Sequence, residues 1–332
     1  MAEAVNDGAA PGALRAILPS SAGAAPATGE VARLSRAVWL LILAMAGAVA
    51  VGFVTLGLSI NLTSNPFLIA VGSAYAALTW FYRRVRRDET IAGSLEAVGQ
   101  LFVVLFLGLL LTYAATATAL PYRDAELNAV DHWIGFDRHT FRAWIASVRQ
   151  LSDLLDIAYL SIQPQTALIP FILVMARQLP RLLRFVLAMG LALAMTSLIA
   201  VFVPAVSASI YIDLAPLREA GIPPGVYTHI PTLQALRSGT MTVIQLNDFE
   251  GLITFPSFHT AIAILFTWAL WRVPVIRWGG LVVNALMILS TPLSGSHYVT
   301  DLIGGAIVAA AAIIAAGCIG HAEPETPELK TA

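Results

Sequence analysis

Long apolar runs dominate this chain and decide the solvent in which it folds. Of 332 residues, 58% are hydrophobic and 12% are charged, whereas about a quarter of the residues in an average soluble domain are charged. A helix that crosses a bilayer needs about 20 mainly apolar residues, and several runs reach that length. The sequence therefore predicts an integral membrane protein. The net charge of −1 gives no indication of nucleic acid as a partner.

Eight apolar segments are predicted to be membrane helices. They are Ala37–Ile60, Pro66–Tyr82, Ile91–Leu120, Ile157–Ala176, Leu183–Val206, His259–Trp271, Val275–Pro292 and Tyr298–Ile319. The run that begins at His259 is short and needs its flanks to span. We expect an all-α, polytopic fold of about eight transmembrane helices.

The chain divides into four parts. Residues 1–32 are rich in Ala, Gly, Pro and Ser and lack the apolar centre of a signal peptide, so we interpret them as a disordered tail. Two N-terminal helices are expected in residues 33–90, a six-helix bundle that carries the motifs below in residues 91–320, and a polar tail in residues 321–332. The single cysteine, Cys318, excludes an internal disulfide.

The positions of the basic residues predict the orientation. Arg and Lys concentrate in cytoplasmic loops, and with the N-terminus inside, 13 of the 19 basic residues fall on the cytoplasmic side. The remaining six, Arg123, Arg138, Arg142, Arg149, Arg218 and Arg237, lie in two outer loops, Pro121–Asp156 and Ser207–Ser257. This assignment places the first residues of the helices that carry His259 and His297 on the same, outer face.

Two short polar stretches at these helix starts carry the chemistry. In "SHYVTD" His297 and Asp301 are four residues apart, so on a helix the carboxylate can accept the imidazole N–H, fix its tautomer and raise its basicity. "FPSFH" begins a second helix, with Pro256 and Ser257 in its first turn and His259 at the same edge. Free N–H groups at such helix starts attract phosphate. Taken singly, each histidine could instead be a polar anchor, and the His/Asp pair a helix-stabilising contact.

These stretches resemble the signature motifs of a known family. "PSFH" and "STPLSGSHYVTD" are similar to the second and third motifs of the type 2 phosphatidic acid phosphatase superfamily, P-S-G-H and S-R-x5-H-x3-D, with Ser290, His297 and Asp301 in register. The branch that includes inositol phosphorylceramide synthases is more similar, because it also lacks the arginine that Thr291 replaces here. "LPYRDAELNAVDHWIGFD", residues 120–137, and "LRSGT", residues 236–240, also resemble outer features of that branch.

The resemblance implies a membrane lipid phosphatase or head-group phosphotransferase with a phosphohistidine intermediate. His297 would attack phosphorus, Asp301 would support it, and His259 would protonate the leaving oxygen and later help to deprotonate water or an acceptor alcohol. The superfamily is metal-independent, and we expect no metal site and no cofactor. The expected partners are the bilayer and a phospholipid or lipid phosphate. The expected location is a bacterial inner membrane with a periplasmic active site, which the Ala-rich, Lys-poor composition also suggests.

The phosphate-binding residues are predicted to be Arg237, Ser257 and Ser290. Arg237 is the candidate for the missing arginine, because it lies in the loop that leads to His259; pairing with Asp248 or Glu250 is an equal alternative for it, and Arg123 is another candidate clamp. Arg123, Asp124 and Asp131 are either structural or line a head-group site. The basic "RQLPRLLR", residues 177–184, falls on the cytoplasmic side and does not serve as the first family motif. The alternative function is a transporter with His259, His297 and Asp301 as a proton relay.

Overall fold

The computed structural model describes residues 28–209, 229–247 and 249–320 of the chain. The predicted C-terminal tail, most of the N-terminal tail and the residues Arg15, Arg218, Asp248 and Lys330 lie outside these ranges. The described part is almost wholly helical, so the all-α prediction is confirmed.

Twelve α-helices occur in the described ranges. They are α1 Thr28–Leu56, α2 Pro66–Phe81, α3 Glu89–Ala117, α4 Asp124–Trp133, α5 Arg138–Ala146, α6 Arg149–Leu160, α7 Ile162–Met175, α8 Leu179–Phe202, α9 Ile230–Arg237, α10 Phe258–Leu270, α11 Arg277–Ser294 and α12 Val299–Gly320. Two three-residue strands, β1 Ser59–Asn61 and β2 Val243–Gln245, pair in parallel. Helix α1 begins inside the segment assigned to the tail, and the first outer loop contains α4, α5 and most of α6.

Four described helices are long and apolar enough to cross a membrane: Gly29–Leu56, Glu89–Ala117, Leu179–Phe202 and Val299–Ile319. The pair Gln150–Leu160 and Ile162–Met175, bent by 53°, makes a fifth if it forms one span. The chain is thus a polytopic membrane protein, but the predicted count of eight is not confirmed. Three predicted spans are absent from this set. Helices α2 and α10 have 16 and 13 residues, and at 1.5 Å per residue neither reaches across a hydrocarbon core of about 30 Å. Helix α11 has 18 residues but is less apolar, since it contains Arg277 and Asn284.

Helix α8 is the centre of the bundle and packs against α1, α3, α7, α10 and α12. Its Gly190 lies against side chains of Leu41 and Val104, so that three helices approach closely where a larger residue would overlap them. Small residues serve this purpose in membrane bundles, where packing replaces the hydrophobic effect between helices. The N-terminal helix α1 belongs to the same apolar core as the family motifs.

The two ends of the bundle differ in charge. At one end Arg184 pairs with Glu30 at 2.5 Å, and Gln178 donates to the carbonyl oxygen of Arg272. At the other end β1 and β2 join the loops that follow α1 and α9, and the N–H of Arg123 donates to the carbonyl oxygen of Pro204. The first residues of α10 and α12 lie at this second end, which we call the β end.

Candidate active site

The starts of α10 and α12 are packed directly against each other. The N–H of Ser257 donates to the carbonyl oxygen of Asp301 at 3.0 Å. Gly305 allows this contact, because a Cβ there would overlap the Ser257 carbonyl group. As a result the imidazoles of His259 and His297 lie with ring centroids 6.3 Å apart and ring planes tilted by 57°. The structure therefore brings together the two histidines that the sequence placed on one face.

His297 and Asp301 form a buried pair. The Nδ1 atom of His297 lies 3.0 Å from Oδ2 of Asp301, which also accepts a hydrogen bond from the N–H of Tyr298 at 2.9 Å. The side chains are 5% and 0% exposed. Burial lowers the pKa of His297 to about 4, although a backbone hydrogen bond with Thr254 raises it. The imidazole is then neutral at neutral pH, which is the form that a nitrogen nucleophile requires.

Helix α4 is hydrogen-bonded to the first residues of α12. The carboxylate of Asp131 accepts hydrogen bonds from the N–H groups of Val299 and Thr300, each at 2.9 Å, and from the Thr300 hydroxyl. It therefore acts as a helix cap supplied by a distant part of the chain. The prediction that free N–H groups of this helix attract phosphate is wrong for Val299 and Thr300, because Asp131 already occupies them.

Asp124 at the start of α4 makes the second attachment. Its carboxylate accepts hydrogen bonds from the Tyr298 hydroxyl at 2.9 Å and from the N–H groups of Val206 and Ser207. Like Asp131, it is almost fully buried. For both aspartates the contacts favour the structural alternative over the head-group site. Arg123 instead pairs with exposed Glu126 at 2.8 Å.

Arg138 is hydrogen-bonded to the backbone of His297. Its Nη1 donates to the carbonyl oxygen of His297 at 2.9 Å, and its Nη2 donates to the Ser209 hydroxyl at 2.8 Å. Ser296, with φ of 56°, lies in the left-handed region and accepts from the N–H of Ser209. The loop that carries His297 is thus fixed through its own backbone as well as through the imidazole.

His259 is held in a different way. Ser257 caps α10 by accepting from the N–H of Thr260 at 3.3 Å. The ring of Tyr159 on α6 stacks on the imidazole with centroids 4.2 Å apart and planes 12° apart. Among the residues that the structure describes, no hydrogen bond to the ring nitrogens of His259 is found.

The structure does not bring the three predicted phosphate-binding residues into contact with one another: Ser257 and Ser290 are both fully buried, and Arg237 is partly exposed. Ser290 is buried inside α11 and donates to the carbonyl oxygen of Met287 at 2.7 Å. Ser257 stands beside His259, and its oxygen is an acceptor for Thr260. Arg237 donates to the carbonyl oxygen of Leu120 at 2.6 Å and lies 3.8 Å from the centre of the Tyr122 ring.

Arg237 shares a cavity with the segment that leads to His259. Thr254 and Phe255 line the same small cavity as Arg237 and Tyr122, and they precede the segment that carries His259. Arg237 therefore lies next to this segment, and in the described part of the chain no hydrogen bond joins it to either histidine. A second cavity of about 310 Å³ lies between α4 and α5, and Asp131, Arg138 and Tyr298 are among the residues that line it.

Sequence reasoning missed Arg138, Asp156 and Tyr159. None of them belongs to a motif with fixed spacing to the histidines. Arg138 and Asp156 come from helices inside what was predicted to be a loop, and Tyr159 lies in the predicted membrane helix Ile157–Ala176. Asp156 accepts a hydrogen bond from the hydroxyl of Ser294 at 2.6 Å, three residues before His297. In the described ranges, no group of three or more His, Cys, Asp or Glu side chains is arranged to hold a metal ion.

The fold and the site define a polytopic helical membrane protein with two neighbouring histidines where two helix starts meet, one of them buried and paired with a carboxylate and the other partly exposed. Comparison with protein families matches residues 125–315 to the PAP2 superfamily, and because this match covers more than half of the chain, the chain belongs to that superfamily. Membership supports an enzyme of the phosphatase or phosphotransferase type that acts on a phosphorylated substrate. Searches of curated proteins and of solved structures each gave no match.

Proposed function

We propose that the protein is a membrane lipid phosphatase or head-group phosphotransferase that works through a phosphohistidine. The observation that carries the proposal is the pair of imidazoles 6.3 Å apart, of which only His297 is bonded to a carboxylate. One histidine is thereby prepared as a nucleophile, and the other stays available for proton transfer.

The reaction has two steps. In the first, Nε2 of His297 attacks phosphorus, the N–P bond forms and the P–O ester bond breaks, while His259 gives its proton to the leaving oxygen. In the second, water or an alcohol gives a proton to His259 and attacks phosphorus, and the N–P bond breaks. Asp301 fixes the Nδ1–H tautomer of His297, so that Nε2 carries the lone pair, and stabilises the positive charge that develops on the ring.

The phosphoryl oxygens need donors that match their charge. We assign this role to Arg237, Ser257 and Ser290. Arg237 faces the cavity lined by Thr254 and Phe255, and the hydroxyl proton of Ser257 is free to donate because its oxygen only accepts from Thr260. The Ser290 hydroxyl would have to turn away from Met287. The scheme uses no metal and no cofactor.

The substrate is proposed to be a phospholipid or lipid phosphate that enters from the outer leaflet. The histidines lie at the β end of the bundle, whereas Arg184 and Arg272 lie at the opposite end with other basic residues. By the positive-inside rule the β end faces away from the cytoplasm. We place the protein in a bacterial inner membrane with a periplasmic site, in the branch similar to inositol phosphorylceramide synthases, with residues 91–320 as the catalytic bundle.

The proposal is tested with purified protein in detergent. Phosphate release and head-group transfer would be measured on a panel of lipid phosphates and phospholipids in the presence of a chelator. We expect turnover of at least one lipid together with an acid-labile phosphoenzyme. Complete loss of activity in chelator would overturn the metal-free scheme, and proton-coupled uptake of a solute without lipid turnover would favour the transporter.

A further inference from the structure

Helix α6 contacts the segments of both histidines, although it lies outside the two motifs. Its Tyr159 stacks on His259, with centroids 4.2 Å apart. The edge of the same tyrosine ring reaches the His297 loop, since a Cβ at Gly295 would lie 2.9 Å from Cε2 of Tyr159 and 2.7 Å from Cδ2 of His297. The phenol ring thus fills the space beside both imidazoles.

A hydrogen bond keeps this face of α6 in place. Asp156 lies three residues before Tyr159, on the same side of the helix, and accepts from the Ser294 hydroxyl at 2.6 Å. The 53° bend after Leu160 turns α6 away from the direction of α7. Helix α6 is therefore attached to the two histidine segments, although α7 beyond the bend runs in a different direction.

We infer that Tyr159 is a positioning residue for His259, an inference that rests on the proposed function. Since no described protein group is hydrogen-bonded to the His259 ring, the stacked ring of Tyr159, whose plane is tilted by 12°, restricts its rotation without occupying either ring nitrogen. A hydrogen-bond partner would hold the ring equally well but would occupy one nitrogen. Stacking orients the acid without competing for its proton.

The test compares two phosphate esters whose leaving groups need different amounts of protonation. The leaving group of dodecyl phosphate is a strongly basic alkoxide, and the leaving group of p-nitrophenyl phosphate is a weakly basic phenolate. Tyr159→Ala should lower kcat for the dodecyl ester about 30-fold and for the nitrophenyl ester no more than about 3-fold, because only the first depends strongly on the general acid. Tyr159→Phe keeps the stacked ring and should stay within about 2-fold of wild type on both esters.

A double variant tests whether Tyr159 acts through His259. In the His259→Ala background, Tyr159→Ala should change the dodecyl rate by less than about 2-fold, because residues that act as a unit are not additive. Leu160→Ala is the matched control: the side chain is adjacent, 60% exposed, and should leave both rates unchanged.

Two results would overturn the inference. One is an equal decrease of kcat on both esters in Tyr159→Ala. The other is that Tyr159→Ala lowers the dodecyl rate in the His259→Ala background by as much as it does in the wild-type background. Either result would show that Tyr159 does not act through His259. These results leave the proposed function intact, whereas wild-type protein that turns over neither ester and no lipid would overturn both.

Discussion

Two segments bring a histidine to the start of a helix, and they hold it by different means. The His297 segment, residues 294–301, is bound by side chains from three other helices: Asp131 and Asp124 of α4, Arg138 of α5 and Asp156 of α6. The His259 segment, residues 255–260, is fixed by its own serine cap, by close packing on α12 and by one stacked ring.

The difference matches the two proposed tasks. A nucleophile must keep one tautomer and one direction of attack, so hydrogen bonds to its ring and to its backbone are an advantage. A group that first gives and then takes a proton needs a ring nitrogen that no other protein group occupies, and packing restrains the ring without using either nitrogen. The variants below test whether the two segments divide the reaction in this way, beginning with the largest expected effect.

His297→Gln should abolish turnover, with a loss of at least about 10⁴-fold, because the nitrogen that forms the bond to phosphorus is removed. No acid-labile phosphoenzyme should be trapped by rapid quenching with a ³²P-labelled substrate. His259→Ala is the control from the other segment, since it should still form the phosphoenzyme from p-nitrophenyl phosphate. Wild-type turnover or labelling in His297→Gln would contradict the proposed nucleophile.

Asp301→Asn should leave the protein folded but lower kcat by about 10³- to 10⁴-fold, because an amide no longer fixes the required tautomer of His297. Thermal unfolding and size-exclusion profiles check the fold, and initial rates check the activity. If the decrease in kcat depended on the leaving group in the same way in His259→Ala and Asp301→Asn, the proposed difference between the two segments would be contradicted.

The sequence predicted the parts of the fold that depend on long apolar runs. The predicted segments Ile91–Leu120, Leu183–Val206 and Tyr298–Ile319 overlap α3, α8 and α12, with ends that differ by one to four residues. It did not predict the helices α4, α5 and α6 inside the first outer loop, because their apolar residues are too few and too scattered to give a membrane signal. The bend after Leu160 was missed for the opposite reason, since the single apolar run Ile157–Ala176 covers both sides of it.

The part of the site that is built from residues close to each other in the sequence was predictable. The four-residue spacing of His297 and Asp301 is visible in the sequence, and the structure places their atoms 3.0 Å apart. The contacts that Arg138, Asp156 and Tyr159 make with the two histidine segments join residues at least 100 positions apart. Nothing in one sequence indicates such contacts. The orientation of the bundle in the membrane stays a prediction from the distribution of arginine.

His259→Ala should have an effect that depends on the substrate. The loss on dodecyl phosphate should be about 10²- to 10³-fold, and the loss on p-nitrophenyl phosphate less than about 10-fold, because general acid catalysis matters most for a basic leaving group. Initial rates on the two esters at one pH give the ratio. Equal losses would remove His259 from the acid role and with it the division between the segments.

Arg237→Ala should lower kcat about 100-fold and Arg237→Lys about 10-fold, because a lysine keeps the charge but loses the fork that matches two phosphoryl oxygens. Arg218→Ala, in the same sequence loop and outside the described residues, is the control and should stay within about 2-fold. The effect of Arg237 should be independent of the leaving group, since its cavity borders Thr254 and Phe255 rather than either ring. If Arg237→Ala and Arg218→Ala behave alike, or if Arg123→Ala alone abolishes activity, the clamp lies elsewhere.

Substitutions of Ser257 should have the smallest effect on activity, and they can separate its role as a helix cap from its proposed role as a phosphate donor. Its hydroxyl oxygen caps α10, and its proton is proposed to reach the phosphate. Replacing a serine cap by alanine costs about 1 kcal/mol, whereas glycine costs only a few tenths. Ser257→Ala should therefore unfold at a lower temperature than Ser257→Gly, while both lose the same donor and should lower kcat/KM equally, by about 5-fold for one neutral hydrogen bond of about 1 kcal/mol. Calorimetry gives the two stabilities and initial rates give the two activities. Activities that follow the stabilities, with the glycine variant close to wild type, would mean that Ser257 serves the helix alone and that the His259 segment contributes only its imidazole.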